Sequence, residues 1–592
     1  MTTIRKHLRT RLLIAATAAT AVLGAPAAAQ AAVTTSITAT GVSIAGDDLD
    51  NGITVTDVAG LLVHNLPTGA GTFNSTIDWD AAVAGDQTVA ANAATTVVAV
   101  TGGAGADTLT VTAAILRAEI DGGLGNDLIT GTANADVLTG GDGDDRVIGA
   151  KGNDSMKGGA GNDQLVWNNG DNNDTMDGEA GADEIEVNGA ATAGDSFTIK
   201  PGAVAARVRF DRINLVPFNL DIGTSERMTV NGLGGDDVFD AGQPGLAALT
   251  LLTLSGGVGA DAITGGDGAD LLTGGDGVDT LTGGAGDDRV VGDRGNDVMA
   301  GGAGDDTLVW NNGDNNDTMD GQDDSDRVEV NGAVAAGDAF TLAPNGARAK
   351  FDRTNLVPFT LDIATTEALH VNALGGDDTF TPAAGTSALL RTLELDGGSG
   401  NDTLTGGDGA DVITGASGND TLTGGAGLDA VDGGPGNDSV LLRDGGPDIG
   451  TGGAGTDAAQ ADRAGLDSLA EFETVDQATG IRALQILSSN VNGRKGTVAL
   501  RVACPAGIDG GCRGTIRITS ASPLRFGKVR LLVTLGSAKV TLAPGQTAIV
   551  RIKLAPGARL LGRKYISVRA TALVRDASGS AIESSRTVRV GF

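Results

Sequence analysis

A nine-residue period governs this chain. From Gly256 it reads GGVGADAIT, GGDGADLLT, GGDGVDTLT, GGAGDDRVV, GDRGNDVMA and GGAGDDTLV, six units ending at Val309 without a gap. Five more units run from Gly122 to Val166 and five from Gly397 to Leu441, with isolated units at Gly102, Gly178, Asn231, Gly321, Asn372 and Gly452. Positions one to six are Gly-Gly-x-Gly-x-Asp, residue types that tolerate left-handed and bridging backbone angles, so they predict a turn. Positions seven to nine predict a three-residue strand with an apolar middle, and position eight is Ile, Leu, Val or Met in all sixteen in-register units. One apolar side chain per nine residues cannot make a core alone. Stacked coils, however, align such side chains into an interior ladder. The pattern therefore predicts an all-β chain with blocks of right-handed parallel β-roll, a β-solenoid, at two units per turn.

Composition supports this reading and narrows the chemistry. Of 592 residues 95 are Gly, and of the 75 acids only 11 are Glu, leaving 64 Asp. A merely solvated acidic chain has no reason to prefer Asp nearly six to one. Short carboxylates suit tight turns, where they bond the backbone or reach a hard cation. The formal net charge of −34 excludes a phosphate-backbone binder, so no nucleic acid is expected as a partner. Charge is also unevenly spread. Residues 32–479 hold 18 basic and 72 acidic side chains, whereas 480–592 hold 19 Lys/Arg against Asp509, Asp576 and Glu583. A polyanion of that density resists compaction unless counter-ions neutralise it.

A longer period of about 140 residues is superimposed on the nonapeptides. LVWNNGDNNDTMDG occurs at 165–178 and, unchanged, at 308–321. GDSFTIKPGAVAARVRFDRINLVPFNLDIG (194–223) is echoed by GDAFTLAPNGARAKFDRTNLVPFTLDIA (337–364). These spacers alternate apolar and polar residues over short runs, the signature of strands. The first 31 residues carry Arg5, Lys6, Arg9 and Arg11, a short apolar stretch and an A-x-A site, and read as an export signal. No later apolar run is long enough to span a membrane, so no integral membrane segment is expected after signal removal.

The layout that follows is a signal peptide over 1–31 and a β-rich N-terminal segment over 32–100. Repeat blocks occupy 101–187, 231–330 and 372–460, separated by β spacers at 188–230 and 331–371. A linker covers 461–480, and a basic domain of about seven alternating strands covers 481–592. Its strand number and length suggest an immunoglobulin-like β-sandwich. Cys504 and Cys512, the only cysteines, flank a Gly-rich loop and are expected to pair in an exported chain.

The nonapeptides resemble the hemolysin-type calcium-binding repeat (RTX) family, whose pattern is GGxGxDxUx. That resemblance implies Ca²⁺ bound between successive turns on each edge of the roll, held by position-six aspartates and carbonyls of the Gly-rich turns. The position-six residues are Asp127, Asp136, Asp145, Asp154 and Asp163 in the first block. The second supplies Asp261, Asp270, Asp279, Asp288, Asp297 and Asp306, and the third Asp402, Asp411, Asp420, Asp429 and Asp438. Ca²⁺ chemistry agrees, since the ion takes six to eight oxygens at loose geometry and Gly turns can point several carbonyls inward. GTANADVLT at Gly131 lacks two turn glycines, and GAKGNDSMK, GDRGNDVMA and GASGNDTLT lose the second. WNNGDNNDTMDG fails the EF-hand spacing and reads as a variant coil built around a Trp.

No enzyme is expected. His7, His64 and His370 are isolated, HExxHxxGxxH and GxSxG are absent, and no pair of carboxylates stands out from the calcium edges. The reading is an exported, extracellular or surface-associated calcium-binding repeat protein that folds on Ca²⁺ and presents its C-terminal domain. That basic domain could engage anionic cell-surface polymers. The alternatives are an adhesin or surface-layer component with purely structural calcium, and a secreted hydrolase hidden outside the repeats.

Overall fold

The computed structural model describes residues 34–37, 41–46, 52–58, 61–64, 88–90, 96–112, 116–246, 249–462 and 466–477. Beyond these it describes 485–487, 490–492, 497–504, 512–521, 524–526, 529–531, 534–543, 546–554, 565–575 and 581–591. The export signal expected over 1–31 lies outside the described residues. Nearly everything described is strand; the only helical turn among the described residues is Thr386–Ala388. No described helix is long and apolar enough to cross a membrane.

The repeats coil into a parallel β-solenoid of about 19 turns. Each turn contributes one strand to each of two sheets. In the first sheet Val137–Asp142 lies between Arg117–Leu124 and Ser155–Ala160, with Leu138 opposite Ile120 and Met156. In the second, Arg146–Ile148 lies between Leu128–Thr130 and Gln164–Asn168, with Val147 opposite Ile129 and Leu165. Partners are 18 residues apart, which is the expected two nonapeptides per turn. Every position-eight side chain is buried, forming one apolar ladder from Ile129 to Val440.

The turns between the sheets are as tight as the glycines permit. Gly125 sits at φ +118°, and a Cβ there would lie 1.9 Å from the carbonyl oxygen of Gly105 in the preceding coil. In three of the four units where the second glycine is missing, its replacement takes the left-handed angle itself, as Thr132 in the fourth does not: Ala150 at φ 64°, Asp293 at 59° and Ala416 at 62°. That costs about 1–2 kcal/mol per residue, and stacking on both neighbouring coils enforces it.

The spacers belong to the solenoid. In the first sheet, three antiparallel strands stand where one would be expected. Asp174–Ala180 pairs in parallel with Phe218–Gly223, which pairs antiparallel with Arg207–Arg212. That strand pairs antiparallel with Ser196–Pro201, which finally pairs in parallel with Val238–Asp240. The second sheet passes straight from Glu184–Asn188 to Arg227–Asn231. The same insertion recurs with Phe359–Ala364, Arg348–Arg353 and Ala339–Asn345. The inserted strands bury a tight aromatic cluster. Trp167 stacks on Phe218 at 3.8 Å between ring centres, and Phe197 lies 5.0 Å from Phe210 and 5.5 Å from Phe239. Trp310 and Phe359 repeat the stack at 3.7 Å.

Beyond the solenoid, Gln485–Ile486, Thr497–Ala503 and Thr547–Lys553 form a three-stranded sheet. Asn490–Asn492, Ala581–Gly591, Tyr565–Arg575, Cys512–Ser520 and Thr534–Leu542 form a five-stranded one. Both contribute to a second apolar cluster that includes Val498, Leu500, Ile516, Ile518, Val568 and Val588. Cys504 and Cys512 are joined by a disulfide with their Cα atoms 5.7 Å apart.

Candidate metal centres

All sixteen aspartates singled out by the repeat are buried. They stand in two rows, one along the edge that leads into each sheet. Row one leads into the first sheet and carries Asp136, Asp154, Asp261, Asp279, Asp297, Asp402, Asp420 and Asp438. Row two leads into the second and carries Asp127, Asp145, Asp163, Asp270, Asp288, Asp306, Asp411 and Asp429. Within a row each residue accepts a hydrogen bond on Oδ1 from the backbone N–H one coil back. Asp127 N–H donates to Asp145 Oδ1 at 2.7 Å, Asp145 N–H to Asp163 Oδ1 at 2.9 Å, and Asp261 N–H to Asp279 Oδ1 at 2.8 Å.

The second carboxylate oxygen is different. In fourteen of the sixteen, Oδ2 is buried without a hydrogen-bond donor; Asp136 and Asp270 are the exceptions, accepting from the N–H groups of Thr132 and Gly266. Nine of these orphaned oxygens face another acceptor. A Cβ built on Gly122 would lie 2.1 Å from Asp127 Oδ2 and 2.4 Å from the carbonyl oxygen of Gly140, one coil on. For Gly283 the distances are 2.3 Å to Asp288 Oδ2 and 2.6 Å to the Gly301 carbonyl. Thus a carboxylate oxygen and a carbonyl oxygen converge on one cleft beside eleven of the sixteen position-one glycines. Two buried acceptors with no donor between them are costly unless a cation or a proton joins them.

The donor set fits calcium. Among the described residues, no three His, Cys, Asp or Glu side chains come together as a metal site. A cation here must therefore combine few carboxylates with several backbone carbonyls. Hard oxygen ligands in flexible geometry suit Ca²⁺, whereas Mg²⁺ demands a near-ideal octahedron. The ion would supply the charge that lets adjacent coils stack.

Burial also pushes these carboxyl groups well above the usual carboxylate range. Asp154 is raised to about 8, Asp145, Asp288 and Asp297 to about 7, and Asp279 and Asp420 to about 6. Desolvation is the main cause and the amide hydrogen bond opposes it. Like charges along the same row push further up.

Both rows extend past the repeat units. Asp174, Asp183, Asp237, Asp317, Asp326, Asp378, Asp448 and Asp457 occupy rungs of the same rows, each buried with Oδ2 lacking a donor. Asp183, Asp326 and Asp457 are position six of the isolated units at Gly178, Gly321 and Gly452, whose aspartates the sequence reading does not single out; the other five fall outside the Gly pattern. The available signal is a lone Asp immediately before a short apolar-centred strand. WNNGDNNDTMDG is a variant coil, since Ser155 pairs with Thr175, 20 residues on rather than 18. Its Asp174 takes the rung, accepting from Asp154 N–H at 2.7 Å.

At two points the row has a built-in cation. Asp195 and Asp338 lead into the inserted strands, and Arg212 and Arg353 reach them with Nη1–Oδ1 distances of 3.2 Å. Both arginine side chains are 3 % exposed and both aspartates fully buried. Each guanidinium also lies against its aromatic pair, 5.3 Å from the Phe218 ring centre and 5.1 Å from that of Phe359. Arg212 Nη1 donates to Asn169 Oδ1 and its Nε to the Val216 carbonyl. Arg212→Met should therefore cost about 3–5 kcal/mol by stranding a buried carboxylate. Arg209→Met, which breaks a half-exposed pair with Asp211, should cost at most about 1 kcal/mol. Denaturant unfolding in calcium, followed by tryptophan emission, measures both; equal losses would contradict this assignment.

A family model described as RTX calcium-binding nonapeptide repeat (4 copies) matches the chain in three regions. The matches cover 121–156, 130–165, 139–172 and 151–185, then 253–281 and 273–308, then 394–422 and 405–440. No curated protein matches the chain.

Proposed function

We propose that this chain, which carries RTX calcium-binding nonapeptide repeats in three blocks, is an exported, non-enzymatic protein whose solenoid is completed by calcium. On this reading the ions sit between coils along both rows. The observation that carries it is the line of fourteen buried Oδ2 atoms without a donor, nine of them beside a glycine carbonyl of the next coil. Inside the cell, where free calcium is scarce, repulsion along the rows keeps the coils apart. Outside it, calcium fills the clefts, and binding energy becomes folding energy. The Cys504–Cys512 disulfide supports an oxidising destination. The solenoid then acts as a stiff acidic spacer for a basic C-terminal domain of immunoglobulin-like class. That domain exposes Arg513, Arg517, Lys539, Arg551, Lys553 and Arg569, which suit an anionic cell-surface polymer.

Equilibrium dialysis of the signal-free chain tests this reading. Several Ca²⁺ ions should bind per molecule with midpoints of about 10⁻⁴–10⁻³ M, the range of extracellular modules. Excess Mg²⁺ should not displace them. A chain that retains no calcium at millimolar concentration would overturn the proposal.

A further inference from the structure

The two inserted modules carry identical exposed tips. Asn-Leu-Val-Pro-Phe occurs at 214–218 and at 355–359. Leu215 and Leu356 are held at φ 46° and 48°, angles a branched side chain rarely adopts. Val216 and Val357 are each 71 % exposed. The strain is enforced from below: Asn214 Nδ2 donates to the Gly194 carbonyl and Asn355 Nδ2 to that of Gly337, while Arg212 and Arg353 hold the Val216 and Val357 carbonyls. Strained backbone that displays apolar side chains to water, built twice, points to a contact surface.

What lies between the tips is equally unusual for so acidic a chain. Along the first sheet, the outward row between the modules reads Val238, Ala262, Thr280, Val298 and Thr318. The neighbouring row reads Asp240, Thr264, Thr282, Ala300 and Asp320, so charge appears only at its two ends. The second sheet over the same stretch presents Arg227, Arg289, Arg327 and Glu329 instead. The modules themselves are close to neutral, with four bases and three acids over 194–223 and three of each over 337–364.

We propose that this strip is a dimer interface in which two copies of the chain meet face to face with their solenoid axes antiparallel. The central strands of the two modules are eight strand steps apart, about 38 Å at the usual spacing. The midpoint of those steps is Thr280–Ala285. A twofold axis along that strand sets the first module of one copy against the second of the other, and keeps the same edge of both sheets together. The four apolar tips then meet in two pairs, Leu215 and Val216 with Leu356 and Val357. A parallel arrangement would put the tips on opposite edges. Only a partner with the same duplication at the same spacing matches both tips, and a second copy has it. The strands of the strip are three to six residues long, about 10–20 Å, so over its ~38 Å length it offers roughly 400–760 Å², up to the ~800 Å² per partner of a standard interface.

Sedimentation velocity of the full chain in calcium should show twice the monomer mass at tens of micromolar, and high salt should not dissociate it, because the charges the axis brings together, Asp240 and Asp320, are of like sign and are relieved by screening. Thr280→Cys lies on the axis and should cross-link to its own copy with a short bis-maleimide, since Cys504 and Cys512 are already paired. Val216→Cys should cross-link to Val357→Cys in a mixture of the two variants, and neither to itself. Thr280→Lys should yield a monomer with the β signal of the parent. A chain that stays monomeric overturns the proposal. So does a dimer that ignores Thr280→Lys or fails to cross-link at 280, and so does a surface polymer that occupies the strip of a monomer.

Discussion

Stripped of calcium at pH 8, the chain is expected to lose most of its β circular dichroism while Trp167 and Trp310 keep the blue emission of buried indoles. The split follows from where the cohesion lies. A repeat coil of eighteen residues buries two aliphatic side chains, such as Leu272 and Leu281, and no aromatic. That is too little apolar surface to offset the entropy of fixing eighteen residues, so those coils depend on neutralised rows. The inserted modules differ on both counts. Five aromatic side chains, one Trp and four Phe, interlock in each, at ring separations of 3.7–5.1 Å for the closest pairs. Such pairs add about 0.5–1.5 kcal/mol beyond the area they bury. Their Asp195 and Asp338 also carry their own counter-charge in Arg212 and Arg353. The measurement is far-ultraviolet circular dichroism beside tryptophan emission during chelation, in a Trp79→Phe background so that only the two module tryptophans and no other report. Loss of both signals at one chelator concentration would mean the modules need calcium as the repeats do. Retention of the full β signal would mean the rows need no cation.

Much of this was legible from the period alone. Nine residues, with one apolar at position eight and Asp at position six, predict two units per turn, an interior ladder and paired acidic rows. The register of Leu138 on Met156 and the burial of all sixteen aspartates agree. Alternation in 194–223 predicts strands correctly but cannot say which neighbours they choose. The chain enters the first sheet two places ahead and returns, so that Phe218–Gly223 rather than Ser196–Pro201 meets Asp174–Ala180. Nor does a polar position announce a buried cation. In RVRFDR and RAKFDR the last arginine falls where a strand would end in solvent, and tertiary stacking on Trp167 and Trp310 draws it inside. Glu226 and Glu367 were equally hidden. They take the rung of Asp in row two, accepting from the N–H groups of Asp183 and Asp326, although no repeat unit surrounds them.

Acid should replace calcium. The sixteen repeat aspartates and Asp317 have an ordinary value of 3.8 and are raised in the folded chain, to about 6 at Asp279, about 7 at Asp145 and about 8 at Asp154 and Asp317. A carboxyl whose folded value lies above its unfolded one binds its proton more tightly when folded. Its contribution is therefore complete below about pH 4 and is lost as pH rises through 6 to 8. A protonated carboxyl can also donate to the facing glycine carbonyl, which removes the clash of two acceptors that calcium otherwise resolves. Chelated chain taken from pH 8 towards pH 5.5, still above its isoelectric point near 4.3, should thus regain β signal over the same interval in which calcium affinity falls. Circular dichroism across that range, with and without calcium, gives both curves. Asp154→Asn and Asp317→Asn together should flatten the metal-free curve locally, because an amide needs no proton to donate. A β signal that falls steadily on acidification without calcium would show that the rows are not held apart by their own charge, and the proposed role of the ion would fail with it.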